Sequence, residues 1–194
     1  MKTISNLVLC FSVLLFLHAC SPANIIASGG GGAMVIAEGD RTMGTVIDDA
    51  TIKVNIAAKF IGSEDNLFVN ISTTVLQGRV LLTGLVENQE IRIDAVRKVW
   101  EVNGVKEVIN EIQVGNRDSL KEYANDLWIN TQAKGLAAKA VGLRVVGYNF
   151  ETIQGKVYIA GITSRPKQLE DIINAVKTVK GVKEIVNYVI IVEK

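Results

Sequence analysis

From residue 48 onwards, apolar residues recur along the chain with two periods, one close to four residues and one of two residues. The period of four is clearest at Ile52, Ile56 and Phe60, which predicts an amphipathic helix with these side chains on its buried face. The acidic pair Asp48-Asp49 precedes this pattern and is expected to cap the helix. A second helix is predicted over residues 88–101, with three apolar residues on its buried face: Ala95, Val96 and Val99.

The period of two predicts β-strands, because successive side chains of a strand point to opposite faces of a sheet. Three segments alternate in this way: 67–76, 80–86 and 106–114. Gln77-Gly78 separates the first two, and its glycine can adopt a positive φ angle without steric cost, so we expect a hairpin turn there. Gly104 ends the second helix before the last strand. The predicted order is helix, strand, strand, helix, strand.

The whole pattern occurs twice, with an offset of 77 residues and no gap. Residues 105–110 read Val-Lys-Glu-Val-Ile-Asn, and residues 182–187 read Val-Lys-Glu-Ile-Val-Asn, each preceded by a glycine. Two copies are too few for an open solenoid, so we predict two small domains, called here the first module (48–116) and the second module (121–194). Each is expected to be an α+β fold in which two helices cover one face of a three-stranded sheet.

The second module repeats the order with its own local signals. Asn125-Asp126 is predicted to cap a helix that runs to about residue 140. The buried stripe of this helix is predicted from its spacing: Ile129, Ala133, Leu136 and Ala140. Three strands are again predicted: 144–153, 157–162 and 183–192. The remaining helix is expected to be capped by Ser164, with Pro166 in its first turn, where proline is tolerated.

The amino-terminal residues have the pattern of a secreted lipoprotein. An apolar run of about eleven residues after an early lysine is too short for a permanent membrane span, which predicts a signal peptide over residues 1–19. Leu17-His18-Ala19-Cys20 resembles the bacterial lipobox, in which the cysteine is acylated, for example with palmitate, and becomes the first residue. His18 departs from the small residue usual at its position. Serine at position 21 implies sorting to the outer membrane, since aspartate there signals inner-membrane retention.

Cleavage before Cys20 limits the chemistry that the mature chain can perform. The only histidine and Cys10 are removed, and Cys20 is consumed by the lipid. This excludes histidine acid–base catalysis, thiol nucleophiles and the ordinary zinc and copper sites, so we predict no catalytic residue, cofactor or metal. Residues 20–47, with the run Ser-Gly-Gly-Gly-Gly at 28–32, are expected to form a flexible tether. No Gly-Lys-Ser/Thr follows this run, which argues against a phosphate loop.

The repeated pattern resembles a known protein family. The element order, the turn glycines Gly78 and Gly155, the following Gly84 and Gly161, and the closing Gly-Val-Lys-Glu-Val/Ile motif are similar to BON domains. A lipobox followed by two such domains resembles the dual-BON outer-membrane lipoproteins. The resemblance covers about residues 1–20 and 41–192. It implies a non-enzymatic envelope protein associated with phospholipid binding and outer-membrane integrity.

Charge and one tryptophan indicate where a binding surface would lie. Residues 20–120 contain 9 Lys/Arg and 13 Asp/Glu, whereas residues 121–194 contain 11 and 7. The opposite net charges of the two halves are consistent either with electrostatic attraction between the modules or with an anionic lipid surface that faces the second module. Trp128 lies off the predicted buried stripe, and the repeat places Thr51 at its equivalent position. An exposed tryptophan suits the bilayer interface, and the alternative is a ring packed between the modules.

We therefore predict an outer-membrane lipoprotein anchored at Cys20, facing the periplasm, whose second module binds anionic phospholipid. The predicted contact residues lie on the first helix of that module: Leu127, Trp128, Thr131, Gln132, Lys134, Gly135 and Lys139. The alternative is a periplasmic protein-interaction module that regulates an envelope assembly or cell-wall machine, with envelope proteins as partners. Nucleic acid is not expected as a partner, given the near-neutral charge and the predicted secretion.

Overall fold

The computed structural model describes residues 42–63, 65–115 and 120–193. The predicted signal peptide, Cys20 and the glycine-rich segment lie outside the described residues. Within the described part of the chain, no helix has both the length and the apolar character needed to cross a membrane.

The first module has the predicted order of helices and strands, with one additional helical turn. Its elements are α1 (Met43–Ile61), α2 (Leu67–Asn70), β1 (Ile71–Leu76), β2 (Arg79–Val86), α3 (Gln89–Trp100) and β3 (Glu107–Val114). The strand order is β1-β2-β3, in which β1 and β2 are antiparallel and β2 and β3 are parallel. Asn88, the predicted start of the second helix, caps α3, because its side-chain oxygen accepts a hydrogen bond from the Ile91 N–H at 2.9 Å.

The second module repeats this architecture. Its elements are α4 (Leu120–Val141), a 3₁₀ segment (Gly142–Gly147), β4 (Tyr148–Ile153), β5 (Lys156–Thr163), α5 (Pro166–Lys177) and β6 (Glu184–Ile191). The strand order is β4-β5-β6, with the same antiparallel and parallel pairings. In each module both long helices contribute to one apolar core against one face of the sheet. The predicted α+β fold with two helices on a three-stranded sheet is therefore confirmed.

Several predicted boundaries are wrong, and each has a local reason. Helices α1 and α4 begin at Met43 and Leu120, five residues before the predicted starts, and Thr42 is the cap of α1. Strands β1 and β4 begin later than predicted, because α2 and the 3₁₀ segment occupy the chain before them. Arg165, without a side-chain hydrogen bond, takes the cap position of α5 that was predicted for Ser164.

The acidic residues that were predicted as helix caps instead hold the hairpin turns. The Asp49 carboxylate accepts hydrogen bonds from the backbone N–H groups of Gln77 and Gly78, both at 2.8 Å. Asp126 does the same for Gln154 and Gly155, at 2.7 and 2.9 Å. Both residues of each turn have positive φ angles, which is the geometry of a type I′ turn. Glutamine rarely adopts this conformation, so the buried carboxylate stabilises a turn that the sequence alone disfavours.

The two sheets pack against each other through the faces that the helices leave uncovered. Leu76 and Leu81 of the first module pack in one cluster with Ile162 of the second. The repeat equivalents of these three residues form a second cluster. In it, Ile153 and Tyr158 of the second module pack with Leu85 of the first. Equivalent residues thus exchange places across the contact, so an approximate two-fold axis relates the modules. The layers run helices, sheet, sheet, helices, which puts the two helix layers on opposite outer sides.

Polar contacts at this sheet-to-sheet interface involve two tyrosines. The Tyr188 hydroxyl donates a hydrogen bond to the Glu111 carboxylate, and Gln113 donates one to the Tyr158 hydroxyl at 3.3 Å. Burial, followed by the hydrogen bond to Glu111, raises the pKa of Tyr188 well above its ordinary value. Burial likewise raises the pKa of Tyr158. Both phenols are therefore held in the neutral form by the folded structure.

These shifts predict an alkaline loss of stability. Because each folded pKa is higher than the unfolded value, the stabilisation is complete below about pH 10 and is lost as the pH rises further. Each tyrosine can contribute a slope of up to about 1.4 kcal/mol per pH unit. We expect the urea midpoint to fall between about pH 10 and 12 in the wild type. Tyr188→Phe should lose stability less steeply over that range, and a variant with an unchanged pH profile would contradict the assignment.

Candidate functional site

The residues predicted to contact lipid lie together on the outer side of α4. All seven are exposed, including the two largest: Leu127, with 55% of its surface exposed, and Trp128, with 46%. We call this set of residues (Leu127, Trp128, Thr131, Gln132, Lys134, Gly135 and Lys139) the α4 surface. The opposite side of the helix faces the core through Asp126, Ile129, Ala133 and Ala137. Ala140, predicted in the buried stripe, is exposed, because the stripe continues at Ala137 instead.

Leu127, Thr131 and Gly135 follow one another at four-residue spacing and form an apolar row. Thr131 donates its hydroxyl hydrogen to the Leu127 carbonyl at 2.8 Å, so its polar atom is satisfied inside the helix. A Cβ placed on Gly135 would meet nothing within 4 Å, so the outside of the row is open at this point. The row is therefore an open, largely apolar surface, and the exposed Trp128 lies beside it.

Two lysines flank this row. Lys134 and Lys139 are exposed, and neither makes an ion pair within the part of the chain that the structure describes. Unpaired ammonium groups beside exposed apolar side chains are typical of helices that lie at an anionic bilayer surface.

The sequence interpretation missed part of this surface because it started the helix too late. The extra turn of α4 brings Leu120 and Tyr123 onto the exposed side, with 88% and 49% of their surfaces accessible. On a helical projection they lie on the same side as Leu127. Extending the helical period to the residues that precede Asn125 would have identified Leu120 and Tyr123 as part of the exposed side. At the other end of α4, the 3₁₀ segment exposes Leu143 and Val146.

Trp128 also borders a depression at the start of α4. The depression has a volume of about 890 Å³, and one of its walls is Gln113 of the first module. Trp128 and Gln113 thus line the same depression, while nearly half of the tryptophan surface stays exposed. Trp100, the other tryptophan, is 52% exposed on α3 of the first module.

The first module presents a different surface at the equivalent helix. Ile47, Val54 and Ile61 of α1 are seven residues apart, and 52%, 67% and 65% of their surfaces are exposed. They lie opposite the core-facing residues of the helix, and Ala50 and Ala58 are exposed beside them. We call these five residues the α1 stripe. It is continuous, apolar and lacks a tryptophan.

The described residues hold no group of three or more His, Cys, Asp or Glu side chains that could bind a metal ion. Adjacent Asp48 and Asp49 do not form a joint site, since Asp48 is exposed and Asp49 is buried against the hairpin turn. The repeated glutamates at the start of β3 and β6 pair with cations on the neighbouring strand. These pairs are Arg79–Glu107 at 2.5 Å and Lys156–Glu184 at 2.9 Å.

Comparison with known proteins gives a consistent result. The family model described as the BON domain matches residues 48–116 and 125–193. An uncharacterized protein in the gshII 5' region of Anaplasma centrale is 40% identical over 144 residues, covering 74% of this chain and 94% of that protein. The outer membrane lipoprotein DolP of Haemophilus influenzae is 28% identical and covers 97% of this chain and 98% of its own. The osmotically-inducible protein Y of Escherichia coli is 30% identical, covering 75% and 73%.

Proposed function

Because this chain belongs to the BON domain family, with two BON domains in tandem, we propose that it is a non-enzymatic bacterial lipoprotein of the outer membrane that supports envelope integrity. Acylation at Cys20 would hold it on the periplasmic side. Similarity to a protein named as an outer membrane lipoprotein over nearly its whole length supports this location. Within this setting, the second module binds anionic phospholipid through the α4 surface.

The observation that carries the lipid proposal is the exposure of Trp128 and Leu127 on one helix beside unpaired Lys134 and Lys139. An aromatic ring with a polar N–H suits the bilayer interface, where one edge is apolar and the other is wet. Each lysine near an anionic surface contributes on the order of 1 kcal/mol. The acyl anchor already confines the protein to the membrane, so a weak second contact can select lipid composition without supplying the whole binding energy.

The test uses soluble protein from Ser21 onwards, which contains all described residues, with Trp100 changed to Phe so that emission reports Trp128 alone. We expect a blue shift and co-sedimentation with phosphatidylglycerol vesicles but not with phosphatidylcholine vesicles. Trp128→Glu should weaken vesicle binding at least about tenfold, because a charge cannot enter the apolar interface. Trp100→Glu, at a similarly exposed position on the first module, is the matched control and should bind normally. Absence of binding at low salt would contradict the proposal.

A second candidate function is docking of a partner protein, and the α1 stripe is the observation that favours it. Its five apolar residues face away from the core on an outer helix layer. The α1 stripe belongs to the other helix layer, on the far side of the paired sheets, so it is a surface separate from the α4 surface. The stripe would then be free for an apolar segment of an envelope protein. Such docking should persist at high salt, whereas lipid attraction should weaken.

Docking through the free edges of β3 and β6 has less support. Strands β3 and β6 are sheet edges, and in both an asparagine side chain already accepts a backbone N–H. Asn110 accepts from Ile112 at 3.1 Å, and Asn187 accepts from Val189 at 2.9 Å. An added strand would need such donors, so these asparagines disfavour edge pairing. The protein-docking alternative therefore rests on the α1 stripe.

A further inference from the structure

The α1 stripe has a symmetry that the fold of a single chain does not require. Counted from Val54 at its centre, alanine occurs four residues before and four residues after, at Ala50 and Ala58. Isoleucine occurs seven residues before and seven residues after, at Ile47 and Ile61. All five side chains are exposed on one side of the same helix. The stripe therefore has the same residue types at the same spacing in both directions along α1.

Such a stripe is complementary to itself when two copies of the helix pack antiparallel about a two-fold axis through Val54. The two valines then meet on the axis, Ala50 of each copy lies beside Ala58 of the other, and Ile47 lies beside Ile61. This is the condition for an isologous interface, in which the same patch of both subunits forms the contact. The small alanines allow the helix axes to approach closely, and the branched side chains fill the space between them.

The spacing within the stripe is also that of a helix–helix seam. Ile47, Val54 and Ile61 repeat every seven residues, and the alanines lie three or four residues from the nearest of these positions. Apolar residues that alternate at intervals of three and four keep one face of a helix turned towards a partner helix. The stripe is thus patterned for another helix, whereas a flat bilayer surface does not require this period.

The charged residues of α1 all lie outside the stripe. Asp49 is bound to the hairpin turn, and Lys59 forms an ion pair with Glu101 at 2.7 Å. Asp48 and Lys53 are exposed beside the stripe. Because Lys53 is next to Val54 in the chain, the two copies of Lys53 come near each other on one side of the axis. Their repulsion should keep the affinity modest and should be screened by salt.

The internal repeat provides a control, because α4 has the same position in the second module. The residues of α4 that are equivalent to the stripe are Ala124, Leu127, Thr131, Gly135 and Ala138. A leucine on one side of the central residue corresponds to a glycine on the other, and the centre itself is threonine. The palindrome is therefore absent from α4, so it does not follow from the needs of the shared fold.

We propose that the α1 stripe is the interface of a homodimer, in which two copies of this chain pair their α1 helices antiparallel about Val54. The inference goes beyond the proposed function and does not depend on it, since vesicle binding by the α4 surface and pairing through α1 can each fail alone. It also assigns the stripe to a second copy of the chain in place of a segment of another envelope protein.

The contact involves one helix of 19 residues from each copy. A pair of helices of this length buries an area at the low end of specific interfaces, below about 1,200 Å². We therefore expect a weak dimer in solution, with a dissociation constant on the order of 0.1 mM. Confinement of the copies to one surface by the proposed lipid anchor would raise their effective concentration, so that a weak contact suffices.

Cysteine pairing tests the geometry, because the chain from Ser21 onwards contains no cysteine. Val54→Cys should form a disulfide-linked dimer on mild oxidation, and an equal mixture of Ala50→Cys and Ala58→Cys should form the mixed dimer. Each alanine variant alone should yield at least about fivefold less dimer, since its two cysteines would lie about 12 Å apart along the axis, beyond the reach of a disulfide. Val69→Cys, at a residue that is 80% exposed in the same module outside the stripe, is the control for random collisions.

Sedimentation equilibrium of the same soluble chain without introduced cysteines measures the affinity. We expect the dimer to tighten between about 20 and 500 mM salt, because the Lys53 repulsion is screened. Val54→Glu should weaken it at least about tenfold, since it places two carboxylates on the axis of an apolar contact. Val69→Glu is the matched control and should leave the affinity unchanged. Equal urea midpoints verify that the variants are folded.

The outcomes separate the possible partners of the stripe. If Ala50→Cys and Ala58→Cys each form as much dimer alone as in the mixture, the antiparallel pairing is wrong. A chain that stays monomeric up to about 1 mM, with no more Val54→Cys dimer than the Val69→Cys control, would overturn the homodimer. The stripe would then be assigned to an apolar segment of another protein. Mixed cross-links together with a weakened Val54→Glu dimer would establish the pairing, whether or not the α4 surface binds vesicles.

Discussion

Gly84→Ala is expected to unfold the first module or to lower its free energy of unfolding by roughly 4 kcal/mol. Gly84 lies in β2 opposite Ile71 of β1 and has a φ angle of +155°, which side-chain-bearing residues rarely adopt. An added Cβ would lie 2.2 Å from the Asn70 carbonyl oxygen and 3.0 Å from the Ile71 Cα. Both atoms belong to the backbone of the neighbouring strand or the turn before it, so they cannot move aside without separating β1 from β2.

Two further glycine-to-alanine changes are expected to affect stability differently and serve as comparisons for Gly84→Ala. At Gly161, the repeat equivalent, the nearest backbone atom to an added Cβ is the Gly147 oxygen at 2.7 Å, so we expect a smaller loss than at Gly84. At Gly135, within α4, an added Cβ meets nothing within 4 Å, and alanine should raise stability by about 0.5–1 kcal/mol through its helix propensity.

Each module contains one tryptophan, so urea unfolding can be followed separately through Trp100 and Trp128 in variants that retain only one of them. We expect the Gly84→Ala change to shift the Trp100 transition more than the Trp128 transition. A loss no larger at Gly84 than at Gly161 would contradict the closer approach of the Asn70 oxygen as the cause of the larger effect in the first module.

Asp126→Ala is expected to destabilise the second module by about 3 kcal/mol, because it leaves two backbone N–H groups of the β4–β5 turn without an acceptor. The bond to Gly155 is buried, and the bond to Gln154 is partly buried. An unsatisfied buried donor costs roughly 1–3 kcal/mol. The turn also holds Gln154 at a φ angle of +52°, which is not favourable without the carboxylate.

The matched control is Asp48→Ala, which removes an acidic residue that is exposed on α1 and should change stability by less than about 0.5 kcal/mol. Asp49→Ala should reproduce the large effect in the first module, since its two bonds have the same geometry. Urea midpoints for the two modules would measure all three changes. A small effect at both Asp49 and Asp126 would show that water replaces the carboxylate at the turns.

Much of the fold could be predicted from the sequence because its signals are local and occur twice. The four-residue period at Ile52, Ile56 and Phe60 identifies a buried helical face, and all three side chains are in the core. The turn glycines identify both hairpins. The 77-residue repeat separates shared structural positions from variable surface positions, and together with the helical spacing it placed Trp128 on the outside of its helix.

The misplaced helix starts show where local reasoning was insufficient. An aspartate before an apolar helical period looks like a cap, but Asp49 and Asp126 lie six residues inside their helices. They bind turns that follow 28 and 29 residues later. Such a partner is invisible to a local pattern, since it depends on how the helix crosses the hairpin. The same error hid Leu120 and Tyr123 from the candidate surface.

The sequence by itself determined the two modules, their element order, their cores and the unequal charge of the two halves, because burial periods and turn residues are written along the chain. The tertiary structure decided that the sheets cover each other, that the outer helix layers face opposite directions, and that Gln113 lines the same depression as Trp128. These relations join residues far apart in sequence. They follow from the packing of two apolar sheet faces, and no local pattern specifies such packing.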